Sequence, residues 1–212
     1  MARIPNGILG GFIGTAGNVS GYMRNGQNFV RSRRRKSSGP MSAKRLAQQQ
    51  KIKVCNEFTG PFCVSGFFRK TFPDYGYSGT GFNRATSAIM NLAIVGTYPD
   101  IAIDYQHVRI SQGPLPPAGN ASVVNSDGNI LFSWEDNTGT GSAKENDKVI
   151  LVAYFPATQT ALFSIGTAVR KDEQAVLETP AMQGETAETW IGFLSHDEKD
   201  AANSIYSGRI SL

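Results

Sequence analysis

The chain has 212 residues, of which 40% are hydrophobic, 18% are charged and 23 are glycine. This length allows one large or two small folded domains, and low charge with high glycine favours strands and turns over long solvated helices. No apolar run is long enough to cross a membrane as a helix, and no secretory signal pattern precedes the fold. We therefore expect cytoplasmic synthesis without a signal peptide, followed by residence in the cell or in a virion or other released particle.

Residues 1–40 are predicted to form a glycine-rich β-hairpin and a basic arm. Asn25-Gly26 is a strong two-residue hairpin signal, flanked by strand-like segments at 19–23 and 28–30. The glycines do not form a nucleotide-binding loop, because no Gly-Lys-Ser/Thr ending accompanies them.

Positive charge is concentrated at the start of the chain. Eleven of the 21 basic residues lie before Asn56, where no acidic residue occurs, so the remainder has ten basic and seventeen acidic residues, a net charge of −7. The residues that we predict to contact nucleic acid or a neighbouring subunit are Arg24, Arg31, Arg33, Arg34, Arg35, Lys36, Lys44, Arg45, Lys51 and Lys53.

Three interpretations of this charge remain open. The basic segment neutralises nucleic-acid phosphates, it meets the acidic part of the next subunit, or it is a solvated segment without a partner.

Residues 41–112 are predicted to mix helices and strands. Ser42 is a candidate N-cap for a helix over 43–57, a second helix begins near Asn83, and strands follow at 101–105 and 108–110. Eight aromatic residues occupy the middle of this segment, next to Arg69 and Lys70. Base stacking is one role for them, but a core or subunit interface is favoured; they are Phe58, Phe62, Phe67, Phe68, Phe72, Tyr75, Tyr77 and Phe82.

Residues 113–119, rich in proline and glycine, are predicted to be a linker to a C-terminal domain over 120–212. Short strands separated by turn residues follow it, which is typical of an antiparallel β-sandwich. The predicted strands cover 130–134, 148–155, 161–169, 175–177, 189–194 and 204–210. The overall fold class is therefore mainly β, within an α+β chain.

The C-terminal half resembles a fibronectin type III or immunoglobulin-like module. The strand that carries Trp134 is similar to the early strand with the core tryptophan in that fold, and 183–186 is similar to the turn before its penultimate strand. Trp190 departs from the pattern, because it lies near the place where a corner tyrosine is expected.

The whole chain also resembles an uncharacterised family of small Bacteroidota proteins, with an N-terminal layout that recurs in proteins of phage-like gene islands. The residues that carry the resemblance lie at 7–12, at Gly14, Gly17 and Gly21, at Asn25-Gly26 with Val30-Arg31, and at 47–51, 110–115 and 204–208. The resemblance implies no activity. The basic cluster at 33–36 is richer in charge than this family leads us to expect, which is compatible with a role in nucleic-acid binding or assembly.

Catalytic and metal-binding patterns are weak. The two histidines, His107 and His196, are read as a structural residue on a short strand and a residue of a solvated turn. Asp197, Glu198 and Asp200 form a weak calcium candidate, and Cys55 and Cys63 lack zinc spacing and are expected to be reduced structural residues. We expect no enzyme, no metal and no cofactor.

The sequence therefore predicts a non-enzymatic, self-assembling structural protein, of the kind that forms a phage or prophage-derived virion shell or filament. Its expected partners are further copies of itself and, through the basic arm, nucleic acid. The alternatives are a nucleic-acid-binding protein that does not assemble, and a sandwich that binds protein or carbohydrate through its loops.

Overall fold

The computed structural model of the chain describes residues 2–5, 7, 10–24, 26–33, 39–63, 65–76, 79–180 and 182–212. The chain divides into two compact units, Met1–Met41 and Ser42–Leu212. Apart from Met41, the segments that we predict at 41–112, 113–119 and 120–212 all lie within the second unit. The fold is mainly β with additional helices, as the sequence predicts.

The first unit contains a three-stranded antiparallel sheet in the order β1-β2-β3. Its strands are β1 (Gly14–Ala16), β2 (Val19–Arg24) and β3 (Gln27–Ser32). The predicted hairpin is confirmed, with Tyr22 opposite Phe29 and Arg24 opposite Gln27. Gly26 takes the left-handed φ of 77° that this turn requires, whereas Asn25 lies outside the described residues.

One glycine of this sheet is fixed by a close approach. A Cβ on Gly21 would overlap the carbonyl oxygen of Phe12 and crowd its ring. Glycine at a strand position often marks such a backbone approach, so part of the glycine content of the N-terminal region reflects tight packing rather than flexibility.

The second unit begins with three helices, α1 (Ala43–Thr59), α2 (Phe67–Thr71) and α3 (Gly81–Leu92). The predicted N-cap is confirmed, since the hydroxyl of Ser42 accepts a hydrogen bond from the backbone N–H of Arg45. The helix predicted to begin near Asn83 begins at Gly81, where Thr80 caps it by accepting from the N–H of Asn83.

A short hairpin follows, formed by β4 (Ile94–Thr97) and β5 (Asp100–Ile103). The strand predicted at 101–105 ends at Ile103, because a 3₁₀ turn (Tyr105–His107) interrupts it. The strand predicted at 108–110 is wrong: this segment is irregular, and the amides of Ile110 and Ser111 donate to the hydroxyl of Ser204 instead of to a neighbouring strand.

Seven strands in two antiparallel sheets form the rest of the second unit. They are β6 (Gly119–Ser126), β7 (Asn129–Glu135), β8 (Lys148–Phe155), β9 (Thr160–Val169), β10 (Gln174–Leu177), β11 (Thr186–Leu194) and β12 (Ile205–Ser211). The sheet orders are β10-β7-β6 and β12-β11-β8-β9. Each of the six strands predicted beyond residue 119 is found, and β6 is added.

The larger sheet is covered on both faces. Side chains of β8 alternate between two hydrophobic cores, with Ile150 and Val152 facing the helices and Val149 and Leu151 facing the smaller sheet. We call these the helix-facing core and the inter-sheet core. Burial on both faces explains why the apolar run of β8 shows no alternation with polar residues.

The predicted linker at 113–119 is packed into the second unit. Leu115 forms a parallel bridge with Ala202, and its N–H donates to the carbonyl of Ala201. Leu115 and Ala118 are buried in the inter-sheet core. Proline tolerates this placement, because an extended segment at a sheet edge does not need every backbone N–H.

Candidate subunit and nucleic-acid interface

The ten predicted contact residues are divided between the two units. Arg24 ends β2, Arg31 lies in β3 and Arg33 follows it, and all three side chains are exposed. Arg34, Arg35 and Lys36 lie outside the described residues. The remaining four belong to α1 of the second unit; they are Lys44, Arg45, Lys51 and Lys53.

The basic residues of α1 follow the exposed side of that helix. Lys44, Arg45 and Lys53 are exposed and Lys51 is half-buried, while Cys55 and Phe58 of the same helix are buried in the helix-facing core. Lys53 lies 3.8 Å from Glu57, one turn further along. Exposed pairs of this kind contribute little to stability, so this side of α1 remains a solvated basic surface.

One face of the first unit combines aromatic rings with arginines. Because residues directly opposite each other on paired strands share a face, Tyr22, Arg24, Phe29 and Arg31 all lie on the same side of the β2–β3 hairpin. The rings of Tyr22 and Phe29 stack at 5.6 Å between centroids, and the guanidinium of Arg31 lies 5.3 Å from the centroid of Tyr22. We call these four residues the aromatic–basic face.

The opposite side of the hairpin is aliphatic. Val19, Met23 and Val30 alternate with the aromatic–basic residues along β2 and β3, and Val30 is 61% exposed. All six residues of β3 are exposed, and among the residues that the structure describes β3 pairs only with β2. The strand therefore presents a free edge, which is a template for pairing with another chain.

Charge follows the same division between units. The first unit has seven basic residues and no acidic one, while the second has fourteen basic and seventeen acidic residues, a net charge of −3. The first unit is thus a small cationic module that exposes apolar, aromatic and guanidinium groups, which suits contact with a phosphate backbone or with an acidic protein surface.

Most of the aromatic residues of the middle segment belong to the core, although Tyr75 is 39% exposed. Phe58, Phe62, Phe67, Phe68 and Phe72 are each at most 2% exposed and lie in the helix-facing core. The expectation that these rings fill a core is confirmed, and base stacking through them is excluded by their burial. Tyr77 lies outside the described residues.

A buried carboxylate that we did not anticipate lies on β11. Glu188 is 1% exposed, and it accepts hydrogen bonds from the hydroxyl of Tyr206 at 2.5 Å and from Nε of Arg209 at 2.7 Å. Burial and the negative charge of Glu188 raise the pKa of Tyr206, while Glu188 raises the pKa of Arg209. Because its charge is matched by a guanidinium, this carboxylate is a satisfied structural group rather than a free base.

The histidine and cysteine residues show no reactive arrangement. Nδ1 of His107 lies 2.7 Å from Oδ2 of Asp104 in the exposed 3₁₀ turn, so the strand predicted around His107 is wrong. His196 lies in the predicted turn. Cys55 is buried, and desolvation raises the pKa of its thiol to about 11, far from the range of an activated nucleophile. Within the described residues, no group of three or more His, Cys, Asp or Glu side chains is placed to hold a metal ion.

Glu198 is the acidic residue of the 195–200 turn with the best-defined partners. Its carboxylate lies 2.6 Å from Nζ of Lys148 and 2.9 Å from Nζ of Lys70. Hydrogen bonds from these two lysines hold the pKa of Glu198 below its usual range. These ion pairs connect the turn to β8 and α2, so the carboxylate of Glu198 already has two positively charged partners.

Replacing Glu198 with glutamine is expected to flatten the acid dependence of stability. Because the pKa of Glu198 is lower in the folded state than in the unfolded state, its ion pairs stabilise the protein at pH values above the unfolded pKa, near 4.5. This contribution is lost as the pH falls through the folded pKa. The loss at neutral pH should stay below about 1 kcal/mol, because the pair is partly exposed. Denaturant unfolding at several pH values between neutral and acidic measures how the free energy of unfolding depends on pH. Glu178→Gln, at an exposed glutamate with no ion pair among the described residues, should leave the profile unchanged; equal profiles for both variants would contradict the assignment.

The sequence matches the family described as "Family of unknown function (DUF6266)" over residues 11–208. The chain therefore belongs to this family. No curated protein matches the sequence. Among the described residues, none of the helices has the length and apolar character needed to cross a membrane.

Proposed function

We propose that this member of the DUF6266 family is a non-enzymatic structural protein that self-assembles through its N-terminal unit. The observation that carries the proposal is the exposed surface of that unit, which has an aromatic–basic face, an aliphatic face and a free β3 edge. A three-stranded sheet of this size buries little apolar surface by itself, and modules near 40 residues usually depend on oligomerisation or cross-links for stability.

A second copy of the chain is the occupant that fits this surface best. The first unit is wholly basic, whereas the second unit has a net charge of −3. Opposite charges on the two ends of one chain favour head-to-tail contacts between copies, and such contacts build rings, shells or filaments. Tyrosine, phenylalanine and arginine are also the residue types that are enriched in subunit interfaces.

The finer form of the proposal is a virion subunit of phage or prophage origin, with the basic arm at 31–36 directed to packaged nucleic acid. Support comes from the joint occurrence of arginine-rich sequence and an exposed stacked pair of rings, since guanidinium groups neutralise phosphates and rings stack on bases. The same observation favours the alternative, a nucleic-acid-binding protein that does not assemble.

An immunoglobulin-like or fibronectin type III-like fold is proposed for the sandwich of the second unit. If β6 to β12 are read as strands A, B, C, C′, E, F and G, the two sheets have the orders E-B-A and G-F-C-C′. This agrees with the separation of A, B and E from C, F and G in that fold. Trp134 on the second of these strands packs edge-on against Phe193, with 6.2 Å between ring centroids. Trp190 instead faces the helices, which form an additional layer.

Size-exclusion chromatography with light scattering tests the assembly proposal on the full chain at low and at high salt. We expect a large species of uniform mass at both salts, and a much smaller one for Tyr22→Ser combined with Phe29→Ser. Tyr98→Ser is the matched control, because Tyr98 is a similarly exposed tyrosine on the second unit. A monomeric full chain at both salts would overturn the proposal.

The absorbance ratio at 260 and 280 nm across the same peak separates assembly from the alternative. Assembly around nucleic acid gives a large particle that absorbs strongly at 260 nm, and Arg24→Ala with Arg31→Ala should lower that absorbance. A small species that binds an oligonucleotide with a steep salt dependence would support the non-assembling alternative and contradict self-assembly.

A further inference from the structure

A groove of about 840 Å³ lies on the second unit, between α3 and the segment 109–114. Its walls carry carboxamide and hydroxyl groups together with arginines. The groups that the inference uses are Asn83, Ser87, Asn91, Arg109, Gln112 and Asn203. No aspartate or glutamate is among the residues that line the groove in the described part of the chain. Its walls are therefore positively charged, and their polar groups are set among apolar side chains such as Phe72 and Leu92.

Arg109 has no carboxylate partner among the residues that the structure describes. It is half-buried in the groove, and no ion pair within 4.0 Å joins it to any described residue. None of the residues outside the described part is acidic, so the chain offers no further carboxylate to this guanidinium. A partly desolvated guanidinium without an anion is a ready partner for a carboxylate, which it can bind in a bidentate manner.

Arg84 adds a second positive charge that the fold holds in place. Its guanidinium donates to the carbonyl oxygens of Gly79 and Phe72 at 2.8 and 2.7 Å. Asp74 lies 3.9 Å from it and offsets its charge in part, but the side chain of Asp74 is largely exposed. Arg84 is therefore a positively charged group held in place at the groove, while Arg109 provides a positive charge that no carboxylate of the described residues offsets.

The helical wall of the groove has a spacing that suits an extended peptide. Asn83, Ser87 and Asn91 follow one another at intervals of four residues on α3, and all three are exposed. A rise of 1.5 Å per residue places them about 6 Å apart, close to the roughly 6.7 Å that separates alternate residues of an extended chain. Each carboxamide has both donors and an acceptor for a backbone N–H or C=O.

We propose that this groove binds an extended, acidic segment of a partner protein. The ladder of Asn83, Ser87 and Asn91 pairs with alternate peptide groups of the segment, and Arg109 binds a carboxylate side chain. The partner is a different protein rather than a second copy, because two of the three acidic pairs in this chain, Asp172-Glu173 and Asp197-Glu198, lie in turns. The third pair, Glu135-Asp136 at the end of β7, already accepts hydrogen bonds from Asn120 and Thr138. The inference does not depend on assembly through the first unit.

Fluorescence anisotropy with the full chain tests the proposal, using a labelled peptide of alternating alanine and glutamate. We expect saturable binding that Arg109→Gln weakens by about tenfold, with Arg109→Lys intermediate because lysine keeps the charge but loses the bidentate geometry. The double variant Asn83→Ala with Asn91→Ala should weaken the binding of the alanine–glutamate peptide and of an alanine–glutamine peptide by the same factor. These two exposed positions lie outside both cores, so the double variant should fold normally.

Arg31→Gln with Arg33→Gln is the matched control, since it removes two exposed arginines of the first unit. Binding that is lost in this control but retained in Arg109→Gln would overturn the proposal, because it would place the peptide on the basic arm. The proposal would also fail if a thymidine oligonucleotide, and not the peptide, bound in a manner that requires Arg109. Peptide binding by a chain that remains monomeric would refute self-assembly while supporting this inference.

Discussion

Replacing Arg170 with methionine is expected to lower the free energy of unfolding by about 3 to 5 kcal/mol. Arg170 follows β9 and is completely buried, and its Nε and terminal nitrogen both lie 3.1 Å from Oδ2 of Asp147. Removing the guanidinium leaves the buried carboxylate of Asp147 without its counter-charge, and an uncompensated charge in the core is among the most destabilising changes known. Denaturant unfolding measures the effect.

The guanidinium of Arg170 also connects several loops at one end of the sandwich. It donates to Oδ1 of Asn137 at 2.5 Å and to the carbonyl of Pro116 at 3.2 Å, and it lies 3.7 Å from the ring centroid of Phe193. Its backbone carbonyl accepts a hydrogen bond from the indole of Trp134 at 2.7 Å. Burial lowers the pKa of Arg170, and the charge of Asp147 opposes that effect.

Two control variants separate the charge effect from the loss of packing. Lys171→Met removes the neighbouring cation, whose pair with Glu145 is exposed at 3.7 Å, and it should cost less than about 1 kcal/mol. Arg170→Met combined with Asp147→Leu should recover much of the lost stability, because replacing both members of a buried pair is often neutral. A single Arg170→Met variant as stable as Lys171→Met would contradict the buried-pair interpretation.

Six of the seven strands of the sandwich could be predicted from sequence because each of them carries a local signal, whereas β6 (Gly119–Ser126) was not predicted. The uninterrupted apolar run of β8 and the turn residues between strands place the elements of the two sheets within a few residues of their observed bounds. The helix N-cap at Ser42 was predictable for the same reason, since a capping hydroxyl acts on an amide only three residues away.

The layer of helices that covers the second face of the larger sheet was not predictable from these signals. An apolar run such as 149–155 is compatible with burial on one or both faces, and nothing local shows that the even-numbered residues of β8 face helices. The packing of the segment 113–119 was not predictable for a related reason: proline and glycine indicate irregular backbone, but they do not indicate whether that backbone is exposed or packed.

The candidate interface was predicted only as a basic segment. The register that places Tyr22 and Phe29 together follows from the hairpin at Asn25-Gly26, so the aromatic–basic face was available from alternation along the two strands. The pairing of Glu188 with Arg209 and the groove beside Arg109 depend on contacts between residues distant in sequence, and no local pattern indicates them.

Replacing Trp190 with alanine is expected to lower the free energy of unfolding by about 3 to 5 kcal/mol. Trp190 is fully buried on β11, within 5.9 Å of Phe58 on α1 and 5.8 Å of Tyr206 on β12, between ring centroids. Its indole N–H donates to the carbonyl of Tyr105 at 3.3 Å. The truncated side chain leaves a cavity between the sheet and the helices, and three surrounding aromatic rings lose packing partners. Trp190→Phe should cost less, because the cavity is smaller.

The same variant tests whether the helices and the sandwich unfold together. It leaves Trp134, in the inter-sheet core, as the only tryptophan, so fluorescence follows the sandwich while circular dichroism at 222 nm follows the helices. Because Ile150 and Val152 of β8 enter one core and Val149 and Leu151 enter the other, loosening either core disturbs the strand that both share. We therefore expect the two transitions to coincide and to shift together. If the helical signal were lost well before the fluorescence of Trp134 changes, the segments at 41–112 and 120–212 that the sequence predicts would be unfolding separately.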